Sequence, residues 1–384
     1  MIIKSLLDVD IYKFFMMQVI FHNYTSSTAE YHYKLRNYCS FSKEECESIK
    51  KELDDLCHLR FKQDEINYLR NTGFFKEDFL EFLTMFSLNH NQIIFNGEHS
   101  IFEFKGSWLT VMMFEIYTMQ IISEIYFMTR NNKDVYKEGE QRLYEKIALI
   151  KDLNDPNFKF ADFGGRRRFS FDWHYNVLMK LKTLVPDNLV GTSNVYMAKT
   201  HNLKPIGTMA HEYIMGHQAI GCRLINSQKK ALQIWANEYR GALGIALTDT
   251  ITMDAFLNDF DLYFCKLFDG CRHDSGDPYI WCDKLINHYE KMGIDPKTKT
   301  AVFSDGLDIP KAIKLYSTFK DRINCSFGIG TNLTNDLGLE ALNHVIKMVK
   351  CNNQDVGKIS NSKGKTMCLN KEYITYLKSV FGVV

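Results

Sequence analysis

The chain has no surplus of charge of either sign: across 384 residues, 47 Lys and Arg stand against 46 Asp and Glu, a formal net charge of +1. Holding nucleic acid or an anionic membrane through the overall field needs a basic excess, so neither partner class is expected. Any anion bound here is bound by local charge. The ten cysteines contain no C-x-x-C pair and no regular spacing. That argues against a disulfide framework and a zinc site, and for reduced thiols in a cytosolic protein. Residues 1–12 (MIIKSLLDVDIY) carry aspartates where a secretory signal needs an apolar core, so a cytoplasmic location is expected. A long uninterrupted hydrophobic run is also missing. The longest apolar stretch, 108–128, contains Glu115, Gln120 and Glu124; central carboxylates cost about 2.5 to 3.5 kcal/mol each in a bilayer, so this stretch reads as a buried helix. There is no internal repeat and no low-complexity segment.

What is present suits a globular protein with a full core, since 45% of the residues are hydrophobic. The length suits two domains, or a barrel with an added domain. Residues 1–150 are rich in Phe, Tyr and Met and carry charged helical stretches at 42–56 and 131–151, the second stopped by the turn at Asp155-Pro156. A boundary is placed there: an N-terminal α/β domain at 1–150, joined by the C-terminal segment 337–384, and a barrel domain at 151–336. The polar loop at 357–366 is expected to return to the first domain.

From Phe158 onward, short apolar runs end in glycines, hydroxyls, carboxylates or histidine: 158–168 (FKFADFGGRRR), 189–194 (LVGTSN), 205–212 (PIGTMAHE), 243–249 (LGIALTD), 272–278 (RHDSGDP), 301–306 (AVFSDG) and 326–332 (SFGIGTN). Helix-period stretches follow most of them, as at 172–184, 279–292 and 309–319, the last with Asp308 at its cap and Pro310 in its first turn. The alternation predicts parallel strands wound by helices, with reactive groups gathered where each strand meets its loop.

The candidate chemistry follows from those ends. Asp274 stands at one strand end, and Asp249, Asp305 and Asp308 recur at the ends of other predicted strands; such carboxylates suit either ribose hydroxyls or a magnesium ion that also takes substrate phosphate oxygens. Asp274 and Asp277 are the metal candidates, although Asp-Ser-Gly-Asp-Pro is equally good turn sequence. Gly328, Gly330 and Thr331 offer backbone N–H groups to a phosphate at a late strand, the usual position in a barrel. Arg166, Arg167 and Arg168 follow a strand end rather than lying on a helix face, and Arg grips carboxylate or phosphate by paired hydrogen bonds, so an anionic substrate is implied. Phe163 beside them is placed to stack on a flat ring, or to fill the core. His211 is either a hydrogen-bonded structural residue or a nucleophile able to accept a phosphoryl group; His217 lies too far along for a facing metal pair.

These residues resemble those of a nicotinate phosphoribosyltransferase of the bacterial type, over nearly the whole chain, from 7–13 (LDVDIYK) to 364–368 (GKTMC). The marks are DFGGRRRFS at 162–170, GTSNVYMA at 191–198, PIGTMAHE at 205–212, GIALTDT at 244–250, RHDSGDP at 272–278, FSDGLD at 303–308 and FGIGTNLTND at 327–336. The resemblance implies an irregular seven-stranded α/β barrel beside a second α/β domain built from both termini, working as a homodimer. It implies a ligase-class reaction that joins nicotinate to phosphoribosyl pyrophosphate for NAD synthesis, with magnesium and with ATP hydrolysis coupled through a phosphohistidine at His211. It further implies that Tyr12 from the neighbouring subunit and Phe163 sandwich the pyridine ring. Arg166 and Arg272 would serve the carboxylate and phosphoribosyl groups; Ser193 would line the substrate site. Asp249, Asp274 and Asp305 would sit on the ribose and metal side, with His211, Arg272 and Asp274 as the catalytic set. Gly165, Tyr213 and Asn361 stand where the family more often has threonine, tryptophan and aspartate.

Rival readings are a nicotinamide-specific relative, which would leave a buried arginine unpaired, and a sugar-phosphate aldolase or isomerase, which needs a Schiff-base lysine or a base poised for proton abstraction at a strand end; no lysine occupies such an end here. A catalytically dead nucleotide-binding regulator would be marked by lost arginine or magnesium ligands, and these residue types are all present.

Overall fold

The computed structural model describes residues 1–36, 40–96, 101–130, 135–362 and 365–383. By packing, the chain divides into a first unit of residues 1–26, 30–207 and 329–347 and a second of 27–29, 208–328 and 348–384. Composition suggested a boundary near 150, but residues 151–207 pack with the first unit, and buried polar ties explain why. Asn194 Nδ2 donates to Asp8 Oδ1 at 2.7 Å, Ser193 Oγ to Asp10 Oδ1 at 2.7 Å and Ile11 N to Ser193 O at 2.8 Å. Arg168 reaches back to Asp8.

In the first unit, β1 (Thr28–Leu35) lies beside β3 (Ile101–Ser107), which pairs antiparallel with β2 (Ile93–Asn96), Ile93 opposite Phe104. The helix Tyr12–Asn23 is anchored by aromatic contacts, Phe15 stacking on Phe75 at 5.3 Å and Phe14 meeting Phe61 edge-on at 5.8 Å. The predicted buried helix is real, as a short turn Trp108–Val111 followed by Phe114–Arg130. Its carboxylates are paired: Glu115 with Lys13 Nζ at 2.8 Å and Glu124 with Arg168 Nε at 2.7 Å. Among the described residues no helix is long and apolar enough to cross a membrane.

Of the seven apolar runs, the first two are β4 (Lys159–Asp162) and β5 (Leu189–Thr192), parallel, with Asp162 opposite Thr192. The run at 205 shrinks to a single parallel bridge between Pro205 and Thr192, because proline has no N–H for a ladder. Its neighbours supply the bonds instead, Thr192 N to Lys204 O at 3.1 Å and Ile206 N to Thr192 O at 2.9 Å. Gly191 permits this approach, since a Cβ there would stand 2.1 Å from Lys204 O.

In the second unit β6 (Ile245–Leu247), β7 (Gly270–His273), β8 (Thr300–Phe303) and β9 (Asn324–Ile329, its last residue counted with the first unit) run parallel in the order β9-β8-β7-β6. One row of the register reads Ala246, Cys271, Ala301, Cys325. Small side chains there suit a sheet buried on both faces. The helices between strands start as expected. Asp308 accepts from Lys311 N at 2.8 Å and Asp277 from Tyr279 N at 2.8 Å, each followed by proline in the first turn. Later still, β10 (His344–Cys351) turns into β11 (Gln354–Asp355), Lys350 opposite Asp355. The tail helix Lys371–Phe381 buries Leu377 against Ile251, Ala255 and Ile359.

Two buried histidines make stability acid-sensitive. Burial holds His344 near a pKa of about 3 and His217 near about 4. Both stay neutral in the folded chain while the unfolded chain protonates them near 6.5, so the unfolded state binds more protons below that pH and stability falls as pH falls. Neither His344 ring nitrogen has a hydrogen-bond partner among the described residues. Its share of the loss between pH 7 and pH 5 should be about 2 kcal/mol. Urea unfolding of His344→Phe at both pH values should therefore show a smaller pH dependence than the parent; an unchanged slope would mean that this ring is not held neutral.

Candidate functional site

His211 opens the helix His211–Gly216 and is buried. Its Nε2 lies 2.8 Å from Asp249 Oδ1, 2.7 Å from Lys358 Nζ and 3.6 Å from Asp274 Oδ2. Asp249 follows the end of β6 and Asp274 the end of β7, so parallel neighbours deliver the two carboxylates to one place. Asp249 is almost wholly buried; its Oδ2 also accepts from Lys358 Nζ at 2.7 Å and Ser275 Oγ at 2.5 Å. Burial pushes the Asp249 carboxyl up, but His211 and Lys358 outweigh it and hold the group well below the usual carboxylate range. Burial lowers His211, the Lys358 ammonium lowers it further, and Asp249 only partly opposes them. The outcome is a neutral imidazole beside an ionised aspartate, with every one of these contacts on Nε2 and none on Nδ1.

The tail loop supplies a floor. Ser360 Oγ donates to Ser275 Oγ at 2.9 Å, Ser362 Oγ accepts from Gly276 N at 2.9 Å, and Lys365 Nζ reaches Asp305 Oδ1 at 2.5 Å. Asp274 Oδ1 accepts from Ser304 Oγ at 3.2 Å, and Arg272 Nη2 donates to Met209 O at 3.1 Å. Buried Arg272 Nε has no partner among the described residues, which leaves a guanidinium N–H for a ligand.

The structure therefore brings together His211, Asp249, Asp274, Arg272 and Asp305 in the second unit. It sets Asp277 apart: that carboxylate caps the helix Pro278–Lys291 and is exposed, so of the two metal candidates only Asp274 stands beside His211. His211, Asp249 and Asp274 offer ligand atoms within 4.8 Å of one another. Both Asp249 oxygens are already engaged, so Asp274 is the carboxylate with capacity for a hard cation. A second triad, Glu30, His32 and Glu103, lies partly exposed on β1 and β3 with Lys105 Nζ 3.5 Å from Glu30.

In the first unit the three consecutive arginines have three fates. Arg168 is fully buried and bonded to Asp8 and Glu124. Arg167 clamps the carbonyl of His344 at 3.0 and 2.7 Å. Arg166 has a side chain 40% exposed, 3.9 Å from Asp10 and 3.8 Å from Glu115, too far for hydrogen bonds. Ser193 Oγ donates to Asp10 Oδ1 at 2.7 Å, and burial raises the Asp10 carboxyl despite Arg166. Phe163 is half-buried; its N donates to Ile329 O at 2.8 Å, and a Cβ on Gly330 would stand 3.3 Å from its carbonyl. Gly330 caps the short helix Thr331–Thr334, and Gly328 lies on β9. Tyr12 is 8% exposed in the single chain, beside Gly207.

Sequence reasoning missed Lys358, Ser275 and Lys365 as partners of these aspartates, and Ser360 as the partner of Ser275. The lysine-bearing, serine-rich composition of 357–366 was the available signal; Gly364 lies outside the described residues. Two of the three departures have structural uses. Tyr213 donates its hydroxyl to Ala231 O at 2.9 Å in the core. The Asn361 Oδ1 accepts from Met253 N at 3.0 Å, as an aspartate oxygen would. At Gly165 a Cβ would meet Asp10 Oδ1 at 3.5 Å, an ordinary contact, so no steric demand for glycine is visible.

Residues 158–384 match the model of the nicotinate phosphoribosyltransferase family, and residues 7–123 match the model of its N-terminal domain. The chain is 51% identical to a nicotinate phosphoribosyltransferase of Burkholderia mallei, over 100% of this chain and 98% of that protein. It is 49% identical to one of Acinetobacter baumannii, over 100% and 98%. A crystal structure of nicotinate phosphoribosyltransferase from Vibrio cholerae superposes with a TM-score of 0.95 at 38% identity, covering 100% of this chain and 94% of that one. One from Porphyromonas gingivalis gives 0.94 at 33%, covering 99% and 100%. A mixed α/β fold with a parallel sheet and a second sheet, full-length similarity and both family models agree: this chain belongs to the nicotinate phosphoribosyltransferase family.

Proposed function

We propose that the protein joins nicotinate to the ribosyl carbon of phosphoribosyl pyrophosphate, releasing pyrophosphate and nicotinate mononucleotide for NAD synthesis, and couples this to ATP hydrolysis through a phosphoryl group carried on His211. The observation that carries the coupling is the buried pair of His211 and ionised Asp249, 2.8 Å apart at Nε2. With the Nε2 proton held by Asp249, Nδ1 presents its lone pair to the terminal phosphorus of ATP. The new N–P bond forms as the bond to the leaving oxygen breaks, ADP departs with that electron pair, and the Nε2 proton remains on the ring against the carboxylate.

The base-transfer step needs little proton movement, because the pyridine nitrogen attacks without losing a proton. Positive charge grows on the ribose and negative charge on the departing pyrophosphate, which Asp274 and Asp305 on one side and Arg272 on the other would stabilise. Magnesium, implied by the family, fits the spare oxygen of Asp274 better than Asp249, and when bound it neutralises phosphate charge. Arg166 is the arginine of its run best suited to nicotinate's carboxylate, with Phe163 against the ring and the turn at Gly328, Gly330 and Thr331 for the 5′-phosphate. A homodimer with Tyr12 at the neighbouring site, and a cytoplasmic location, belong to this reading through the family resemblance.

Purified protein with nicotinate, phosphoribosyl pyrophosphate, magnesium and ATP should make nicotinate mononucleotide. Nicotinamide should fail as substrate, since its neutral amide lacks the carboxylate that would pair with Arg166. In His211→Ala the stimulation by ATP should vanish. Equal use of the two bases would reject the specificity, and undiminished ATP stimulation in the variant would reject the phosphoryl carrier.

A further inference from the structure

His211 Nε2 is claimed by two groups that cannot both bond to it. Asp249 Oδ1 at 2.8 Å requires a hydrogen on Nε2, whereas Lys358 Nζ at 2.7 Å requires a lone pair there. A neutral imidazole carries one or the other, and the choice decides Nδ1: a proton on Nε2 leaves Nδ1 a nucleophile, and a lone pair on Nε2 puts the proton on Nδ1 and blocks it. We propose that Lys358 is a positioning residue that biases His211 toward the blocked tautomer, and that an incoming phosphate group releases the ring by drawing the ammonium away.

The arrangement around Lys358 supports this. Its backbone is pinned on both sides: Lys358 N donates to Met367 O at 2.9 Å, Met367 N returns a bond to Lys358 O at 2.8 Å, and Ile359 N donates to Thr250 O at 2.9 Å. The flexible four-carbon stem is left as the part able to move. While the ammonium is in place it neutralises the Asp249 carboxylate through Oδ2, which Ser275 also serves, so the pull of Oδ1 on a ring proton is weakened. Once the ammonium leaves, that carboxylate has lost its cation and Nε2–H becomes its natural partner. The charged groups facing the ring are Asp249, Asp274 and Lys358, so Lys358 is the one cation in this set. Phosphorylation of His211 would then be tied to occupancy by a polyphosphate. This rests on the phosphoryl-carrier reading above, but its test does not need phosphoryl transfer.

The measurement is long-range ¹H–¹⁵N correlation of the histidine side chains in the full-length protein, with His211 assigned by loss of its signals in His211→Asn. Wild type without anions should be richer in the Nδ1–H form. Lys358→Met, which keeps the packing volume, and wild type saturated with inorganic pyrophosphate should each move the tautomer ratio toward Nε2–H by about tenfold. A ratio unchanged by pyrophosphate overturns the proposal even if the Met variant does not fold, and a ratio unchanged in a folded Met variant overturns it too. Labelled phosphate transferred from ATP to His211 is scored separately, so failure of the carrier reading is distinguishable from failure of the switch.

Discussion

Asp249→Asn should lower the ATP-stimulated rate by about 10² to 10⁴, up to the roughly 10⁴ lost when the carboxylate orienting a catalytic histidine becomes an amide. The side chain keeps its shape but loses its charge. Its oxygens now serve His211, Lys358 and Ser275 together, and an amide can offer only one oxygen to all three. If the amide NH₂ faces Nε2 it donates to the ring, which fixes the proton on Nδ1, the nitrogen proposed to attack phosphorus. The rate should fall in kcat rather than in the KM for nicotinate, because the interaction lost acts on the histidine and not on the base. The substitution also leaves the Lys358 ammonium, whose side chain is 9% exposed, without its main counter-charge. A lower melting temperature is therefore expected beside the kinetic loss. Adding Lys358→Met to Asp249→Asn should restore much of the melting temperature and none of the rate. Rates measured well below the melt, with far-ultraviolet circular dichroism to show folding, separate the two effects; a kcat within threefold of the parent would remove Asp249 from the phosphoryl step.

How much of this was legible beforehand depended on whether chemistry sat next to its own strand. The apolar runs that became β4 to β9 are readable because strands buried on both faces have little choice of side chain. The run at 205 misled only in extent, since a proline ends a ladder that its neighbours would otherwise continue. His211, Asp249 and Asp274 were found because parallel order brings strand ends together without any need to know side-chain contacts. Asp277 and Asp308 were indistinguishable from them in sequence, as an aspartate that caps a helix follows a strand just as a reactive one does. Lys358 could not be assigned to His211, since the composition of 357–366 marks the loop but not which lysine reaches the ring. Its partner His211 lies 147 residues away, and a lysine in a polar loop reads as solvated. The domain boundary at 150 went astray for the same reason, because the ties that hold 151–207 to the N-terminal residues are buried polar bonds, invisible to composition.

Arg168→Met should destabilise the fold by about 3 to 5 kcal/mol, the cost of stripping one partner from a buried ion network. Arg168 grips Asp8 with two parallel bonds of 2.7 and 2.8 Å and Glu124 with a third of 2.7 Å, and Asn194 Nδ2 donates to Asp8 Oδ1 at 2.7 Å. Residue 168 is fully buried. Methionine would fill much of the volume but leave two carboxylates in a low-dielectric site with no cation. They would then protonate more readily in the folded chain than in the unfolded one, so the folded state would bind the extra protons and the deficit should shrink as pH falls from 7 toward 5. This is opposite in sign to the histidine effect above, which makes the two separable in one pH series of urea unfolding curves. Adding Asp8→Asn and Glu124→Gln should recover part of the loss at pH 7 by removing the stranded charges. Arg322→Ala provides the contrast: its 2.7 Å bond to Asp283 is similar in length, yet both side chains are 44–50% exposed, and its loss should cost less than about 1 kcal/mol. A deficit for Arg168→Met no larger than that of Arg322→Ala would show that water reaches residue 168, and would reopen the assignment of Arg166, rather than its neighbour, to the substrate.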